Sequence, residues 1–221
     1  MEQTKSGLAV VSLTLGPALT NAYLLADQAE GVAVAIDPAW DGGRIADEAA
    51  HRGWRVTDIW LTHAHFDHFG GAAELSDRAP APLPVALHLE DYPLWKALGG
   101  APFFGMPDFD PGPEPTVELD AGMILHVGSY DVEVRHAPGH TPGHVLFCLP
   151  KAGLAFCGDV IFEAGVGRTD LPGGDWTTLL TSIREQVLTL PDETTLFPGH
   201  GRATTVGRER SGNPFLDPTL G

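Results

Sequence analysis

The sequence predicts an α/β (α+β) protein built from two sheets, each with helices on its outer side. Short apolar runs rich in β-branched residues alternate with segments of helical period in both halves of the chain, which suggests two sheets rather than one parallel sheet. No linker or low-complexity stretch interrupts the 221 residues, so a single domain over residues 1–221 is expected. The hydrophobic fraction of 43% suits one packed core.

Taken in order, Leu8–Leu15 reads as a strand, broken by Gly16-Pro17 and paired with a strand over residues 21–25. The continuous apolar run Val32–Ile36 fits a buried strand and ends at a turn signal, Asp37-Pro38. Residues 42–52 show helical spacing, with Ile45, Ala46, Ala49 and Ala50 on one face and Gly53 as the stop. A strand over 56–61 leads into a histidine-rich stretch, followed by a helix over 67–75. Val85–His88 is a further short strand, with His88 assigned a structural role, and residues 90–98 form a helix candidate. Residues 99–115 form a long Gly- and Pro-rich loop bearing Phe103, Phe104, Met106 and Phe109, which is either an apolar lid or a surface excursion. Residues 123–127 and 131–136 read as a hairpin turning at Gly128-Ser129; Val145–Leu149 and residues 154–156 follow as strands. Asp175 is placed to cap a helix over 176–190, and a last strand covers 194–197.

Composition narrows the function. Lys and Arg total 13 against 29 Asp and Glu, a formal charge of −16, which argues against a nucleic-acid partner. The N-terminus has no apolar signal core, and no apolar run is long enough to span a membrane, so a cytoplasmic protein without membrane partners is expected. The two cysteines, Cys148 and Cys157, lie in apolar strands and read as buried free thiols.

The chemistry concentrates in Thr62-His63-Ala64-His65-Phe66-Asp67-His68-Phe69-Gly70-Gly71. Imidazole and carboxylate together suit a borderline divalent metal such as zinc. His63 and His65, two apart at a strand end, point the same way; Asp67 and His68, at the turn into a helix, can face a second point, so two adjacent metals are suggested. Four apolar strands are followed at once by a glycine-bearing loop with His or Asp: residues 63–68, His140, Asp159 and His200. Convergence on one edge gives seven candidate ligands, His63, His65, Asp67, His68, His140, Asp159 and His200. His144 lies close to His140 and is assigned a supporting or structural role.

On these residues the chain resembles the metallo-β-lactamase superfamily: its His-x-His-x-Asp-His signature stands at 63–68, and the later single ligands come in the family's order. The resemblance implies a four-layer αββα sandwich. It implies that His63, His65 and His140 hold one metal, that Asp67, His68 and His200 hold a second, and that Asp159 bridges them. Within the superfamily the chain looks most like the short bacterial glyoxalase II (hydroxyacylglutathione hydrolase-like) branch, on Leu15-Gly16-Pro17 with Asn21-Ala22-Tyr23, Gly158-Asp159, Gly167-Arg168-Thr169-Asp170-Leu171, Pro198-Gly199-His200-Gly201 and Asn213-Pro214-Phe215-Leu216. Arg168 falls where that branch carries a basic residue contacting glutathione; its structural alternative is pairing with Asp170 or Asp175. The C-terminal helical domain of full-length glyoxalase II is not expected here, which leaves the thiol carrier open.

The resemblance therefore implies hydrolysis of a small-molecule thioester by a hydroxide bridging two divalent ions, zinc first and iron or manganese as alternatives, with Asp67 as catalytic base. The alternative is a persulfide dioxygenase with a single iron on His63, His140 and Asp159. A β-lactamase ranks third.

Overall fold

The computed structural model describes residues 2–5 and 7–216. One sheet takes seven strands in chain order: β1 (Glu2–Lys5), β2 (Leu8–Leu15), β3 (Thr20–Asp27), β4 (Val32–Ile36), β5 (Arg55–Trp60), β6 (Val85–His88) and β7 (Val117–Leu119). The first four pair antiparallel and the last four parallel. Parallel neighbours need crossovers. These are α1 (Gly42–His51) after β4, α2 (Phe66–Phe69) and α3 (Ala72–Asp77) after β5, and α4 (Tyr92–Lys96) with the 3₁₀ segment Leu98–Phe104 after β6. The second sheet begins with the antiparallel strands β8 (Ile124–Val127), β9 (Tyr130–His136), β10 (Val145–Leu149) and β11 (Leu154–Gly158). A small ribbon, β12 (Ile161–Phe162) and β13 (Gly165–Val166), and the helix α5 (Trp176–Ser182) follow. Then β14 (Thr195–Pro198) joins β11 in parallel, β15 (Thr204–Thr205) closes that edge, and α6 (Val206–Gly212) lies beyond.

Three buried clusters separate four layers. Alternate residues of β3 show how: Ala22, Leu24 and Ala26 face Ile45 of α1 and Leu75 of α3, whereas Tyr23 and Leu25 face the other sheet, meeting Val134, Phe147 and Phe156. Likewise Leu146 and Cys148 of β10 join Leu179, Ile183 and Val187, while Val145, Phe147 and Leu149 lie between the sheets. Burial on both faces is why these strands read as continuous apolar runs. The order is helix, sheet, sheet, helix, as expected. Cys148 and Cys157 are free and buried, and burial pushes the Cys148 thiol up to about 12.

The limits of β2, β4, β6 and β10 match the sequence reading. The helix expected over 67–75 is instead two short helices, broken at Gly70-Gly71. The cause is tertiary: a Cβ on Gly71 would lie 2.5 Å from the Pro38 carbonyl, so the chain there is pressed against the loop after β4. Asp175 caps α5 by accepting from the Thr178 amide at 2.7 Å, as expected, but the helix continues as a π turn over Ile183–Val187. β7, the β12–β13 ribbon, β15 and α6 were not foreseen. Among the described residues no helix is long and apolar enough to cross a membrane.

Candidate metal centre

Strand register brings the ligand-bearing loops to one edge. Phe156 lies opposite Phe197 and Gly158 opposite Pro198, so Asp159 and His200 leave β11 and β14 side by side. Ile36 opposite Trp60 does the same for Asp37 and the histidine stretch. A bridge between Thr20 and His200 ties the two sheets together at this edge.

The seven candidate ligands are brought together, in clusters that overlap: besides the two described next, His63 and His68 also come within 4.8 Å of each other and of Asp37. Ligand atoms of His63, His65 and His140 lie within 4.8 Å of one another, as do those of Asp67, His68 and His200. Asp159 touches both: Oδ2 is 3.6 Å from His140 Nε2 and 3.5 Å from His200 Nε2, and Oδ1 is 3.5 Å from His68 Nε2. Donors around one tetrahedral ion at about 2.0–2.2 Å stand about 3.3–3.6 Å apart, so these spacings suit shared coordination. His63 Nε2, His68 Nε2 and Asp159 Oδ1 are buried without a hydrogen-bond partner. Buried polar atoms are rarely left so, and a cation in each group, with Asp159 reaching both, would satisfy all three. The donor set, imidazoles and carboxylates, fits a divalent transition metal.

Several of the candidate ligands are aimed by a second contact. His68 Nδ1 is 2.9 Å from Asp37 Oδ2; Asp37 also accepts from the Thr62 amide at 2.7 Å and its hydroxyl at 2.6 Å. His140 Nδ1 donates to the Arg168 carbonyl at 2.7 Å, leaving Nε2 toward the centre. Asp67 Oδ2 accepts from the Thr20 hydroxyl at 2.8 Å and lies 3.3 Å from His200 Nε2. Tyr23 donates to the Pro198 carbonyl at 2.6 Å, and Asn21 Nδ2 to the Pro198 and Gly201 carbonyls, holding the His200 loop. His144 stays outside both groups: its Nε2 accepts from the Asp159 amide at 3.0 Å and its ring stacks on His63. Asp37, Thr20, Tyr23 and Thr62 are not marked as site residues by the sequence, where Asp37 reads only as part of the turn signal Asp37-Pro38. His88, read as structural, stacks on His136 with centroids 4.2 Å apart and belongs to neither group, but forms a separate cluster with His136 and Glu90.

The charges divide along the same line. Burial, aided by neighbouring histidines, lowers His63 well below the usual value and His65 to about 3, so both are neutral, as a metal ligand must be. At His68 and His200 burial also acts downward, but the Asp159 and Asp67 carboxylates outweigh it, raising His68 well above the usual value and His200 to about 9. Asp67 and Asp159 are lowered despite burial, chiefly by His68, and stay ionised. The two groups thus differ in what dominates: burial at the first, the Asp67 and Asp159 carboxylates at the second.

The centre opens into a cleft of about 410 Å³ walled by Pro17, Phe66, Phe104, Met106 and Leu171, with Arg168 at its rim. Arg168 pairs with Asp170 through Nε and Nη2, both at 2.7 Å, which is the structural alternative considered for it. The long loop is anchored on this wall. Phe104 packs on Phe66, and Phe109 on Trp40, Phe66 and Phe69, while Phe103 is 89% exposed.

Two sheets between helices, with seven candidate ligands gathered at one edge, describe an αββα class of protein with the donors to hold divalent metal. The metallo-beta-lactamase superfamily profile matches residues 15–200, and the chain belongs to that superfamily, whose members bind divalent metals. It is 34% identical over 197 residues to the hydroxyacylglutathione hydrolase GloC of Haemophilus influenzae, covering 89% of this chain and 92% of that protein. It is 32% identical over 202 residues to the human mitochondrial persulfide dioxygenase ETHE1, covering 89% of this chain and 71% of that one. Among solved structures, the BLEG-1 B3 metallo-beta-lactamase matches with a TM-score of 0.88 at 36% identity, covering 94% of this chain and 99% of that one. TTHA1623 in a di-iron-bound form matches with a TM-score of 0.83 at 41% identity, covering 93% and 100%. That di-iron form means that the metal in this family is not fixed to zinc.

Proposed function

We propose that the chain is a binuclear metal-dependent thioester hydrolase of the hydroxyacylglutathione hydrolase type, with a small-molecule substrate. One observation carries this reading: two clusters of three potential ligands both lie within reach of Asp159 at the floor of an apolar-walled cleft. His63, His65 and His140 would hold one ion, Asp67, His68 and His200 the other. Such a pair supplies an ionised water at neutral pH and an electrophile for the substrate carbonyl. Zinc is the first candidate, and iron or manganese suits the same donors.

The residues do the rest. Asp67, fixed by Thr20 and His200, presents its carboxylate at the cleft floor and takes the proton of the attacking water. Pro17, Phe66, Phe104, Met106 and Leu171 seat the apolar part of the ester and exclude bulk water. Water adds to the acyl carbon, the C–S bond breaks, and the products are a carboxylic acid and a thiol. Thiolate leaves without a dedicated acid, in keeping with a floor whose other groups are all candidate ligands. Arg168 at the rim is the candidate contact for an anionic carrier such as glutathione.

A second reading, a dioxygenase with one iron on His63, His140 and Asp159, is favoured by the resemblance to the persulfide dioxygenase. The group Asp67, His68 and His200 does not decide between the two readings, because all seven candidate ligands are present either way. Elemental analysis of the purified protein, run beside S-lactoylglutathione, a wider thioester panel, a β-lactam and glutathione persulfide with oxygen uptake, separates the readings. Two metals per chain with thioester hydrolysis is the expected result. One iron with persulfide-dependent oxygen consumption, or turnover of the β-lactam alone, overturns it.

A further inference from the structure

The end of β6 reaches the same edge as the ligand loops but brings no ligand. It brings Asp91, in the 3₁₀ turn Leu89–Asp91 ahead of α4. The side chain is 0% exposed, and both its oxygens are engaged. Oδ2 accepts from the Ala64 amide at 2.9 Å and the Thr141 hydroxyl at 2.8 Å; Oδ1 accepts from the Gly143 amide at 2.6 Å. Ala64 is the residue between His63 and His65, and Thr141 follows His140. One carboxylate thus joins the two loops that carry a complete ligand group. The local sequence is built around this contact: a Cβ on Gly143 would lie 2.6 Å from the Asp91 amide nitrogen, so only glycine lets that loop come so close. Burial raises the Asp91 carboxyl above its usual value, a cost that the three donors oppose.

We propose that Asp91 is the positioning residue of the His63–His65–His140 group, setting the affinity of that group for metal and not that of Asp67–His68–His200. The second group has its own braces, Asp37 on His68, Thr20 on Asp67, and Asn21 and Tyr23 on the His200 loop, and none of them contacts Asp91. Asparagine cannot replace Asp91, because three donors converge on two oxygens and an amide nitrogen would face an N–H or O–H. The proposal rests on the two-metal reading above.

The test is Zn²⁺ titration of the metal-free protein against a chromophoric chelator, with the absorption spectrum of the Co²⁺-loaded protein as a second readout. Wild type, Asp91→Asn, Thr141→Val and Thr141→Ser are compared. Wild type should take two equivalents. Asp91→Asn should keep one at wild-type affinity and bind the other about 10–100-fold more weakly, the size expected for the loss of a ligand-supporting partner. Thr141→Val should show the same selective loss to a smaller degree, and Thr141→Ser should restore it. Unchanged affinity for both equivalents in Asp91→Asn, or equal weakening of both, overturns the proposal. If Asp91→Asn does not fold, Thr141→Val decides in the same way. If wild type binds one equivalent, the two-metal reading has failed by itself. The brace is then read on that single ion, where a tenfold loss in Asp91→Asn supports it and no change refutes it.

Discussion

Gly199→Ala offers a sharp probe of the centre, because the change adds one methyl group beside the shared carboxylate. The new Cβ would lie 2.1 Å from Asp159 Oδ1 and 2.6 Å from His68 Cε1, against an ordinary contact of 3.4 Å or more, so the carboxylate must retreat by about 1 Å. The backbone cannot give way instead: the Gly199 amide donates to the Gly158 carbonyl at 2.8 Å, and the Gly199 carbonyl accepts from the Asn21 amide at 2.7 Å. A displacement of about 1 Å in a positioned group costs on the order of a hundredfold in rate. Overpacking should remove about 1–3 kcal/mol of stability. The assay is metal content after dialysis against a chelator, followed by thioester hydrolysis. Gly201→Ala is the control. Its Cβ meets nothing within 4 Å, and the cost there is backbone strain at φ +77°, about 1–2 kcal/mol, with metal retained. Wild-type metal content and rate in Gly199→Ala would refute the placement of Asp159 between the two groups.

Three further outcomes are expected. Asp37→Ala strips partners from the Thr62 amide and His68 Nδ1. At about 1–3 kcal/mol for each buried group left unpaired, unfolding should shift markedly and metal content fall; a melting temperature within a degree of wild type contradicts this. Asp27 accepts from the Ser129 amide and hydroxyl and the Ala29 amide, and these donors hold its carboxyl below the usual value although burial pulls the other way. A lowered carboxylate contributes stability above about pH 4 that is lost as pH falls through its folded value. Denaturant curves for Asp27→Ala should therefore show their full deficit at pH 7 and a shrinking one in acid; a deficit that grows in acid runs against the sign. Arg168→Ala should raise KM for an anionic thioester with little change in kcat and none in metal content, since His140 leans on the Arg168 carbonyl, not on its side chain. Loss of metal would show that the guanidinium matters to the centre itself.

What could be read in the sequence, and what could not, follows from the range over which each feature is determined. The candidate ligands are legible because each is local: an apolar strand, a glycine, then a histidine or aspartate, a pattern needing no knowledge of partners. The break in the helix after Asp67 was invisible because the loop around Pro38 imposes it, not Gly70 and Gly71 alone. β15 and the β12–β13 ribbon have two residues per strand, too few for any periodicity. The braces were hidden for a deeper reason. Tyr23 sits mid-strand among core residues, its ring against Phe156 and Phe197, and only the register of the opposite sheet brings its hydroxyl to a carbonyl 175 residues away. Asp91 looks like an acid opening a helix, yet its acceptors serve donors 27, 50 and 52 residues distant. Metal chemistry constrains the residue types of the ligands, so they announce themselves. A brace needs only an acceptor at the right point in space, and many residue types in many local settings can supply one. The same holds for the cleft wall: Pro17, Phe66, Phe104, Met106 and Leu171 come from separate segments, so the shape of the cleft is set by tertiary contacts rather than by the histidine stretch.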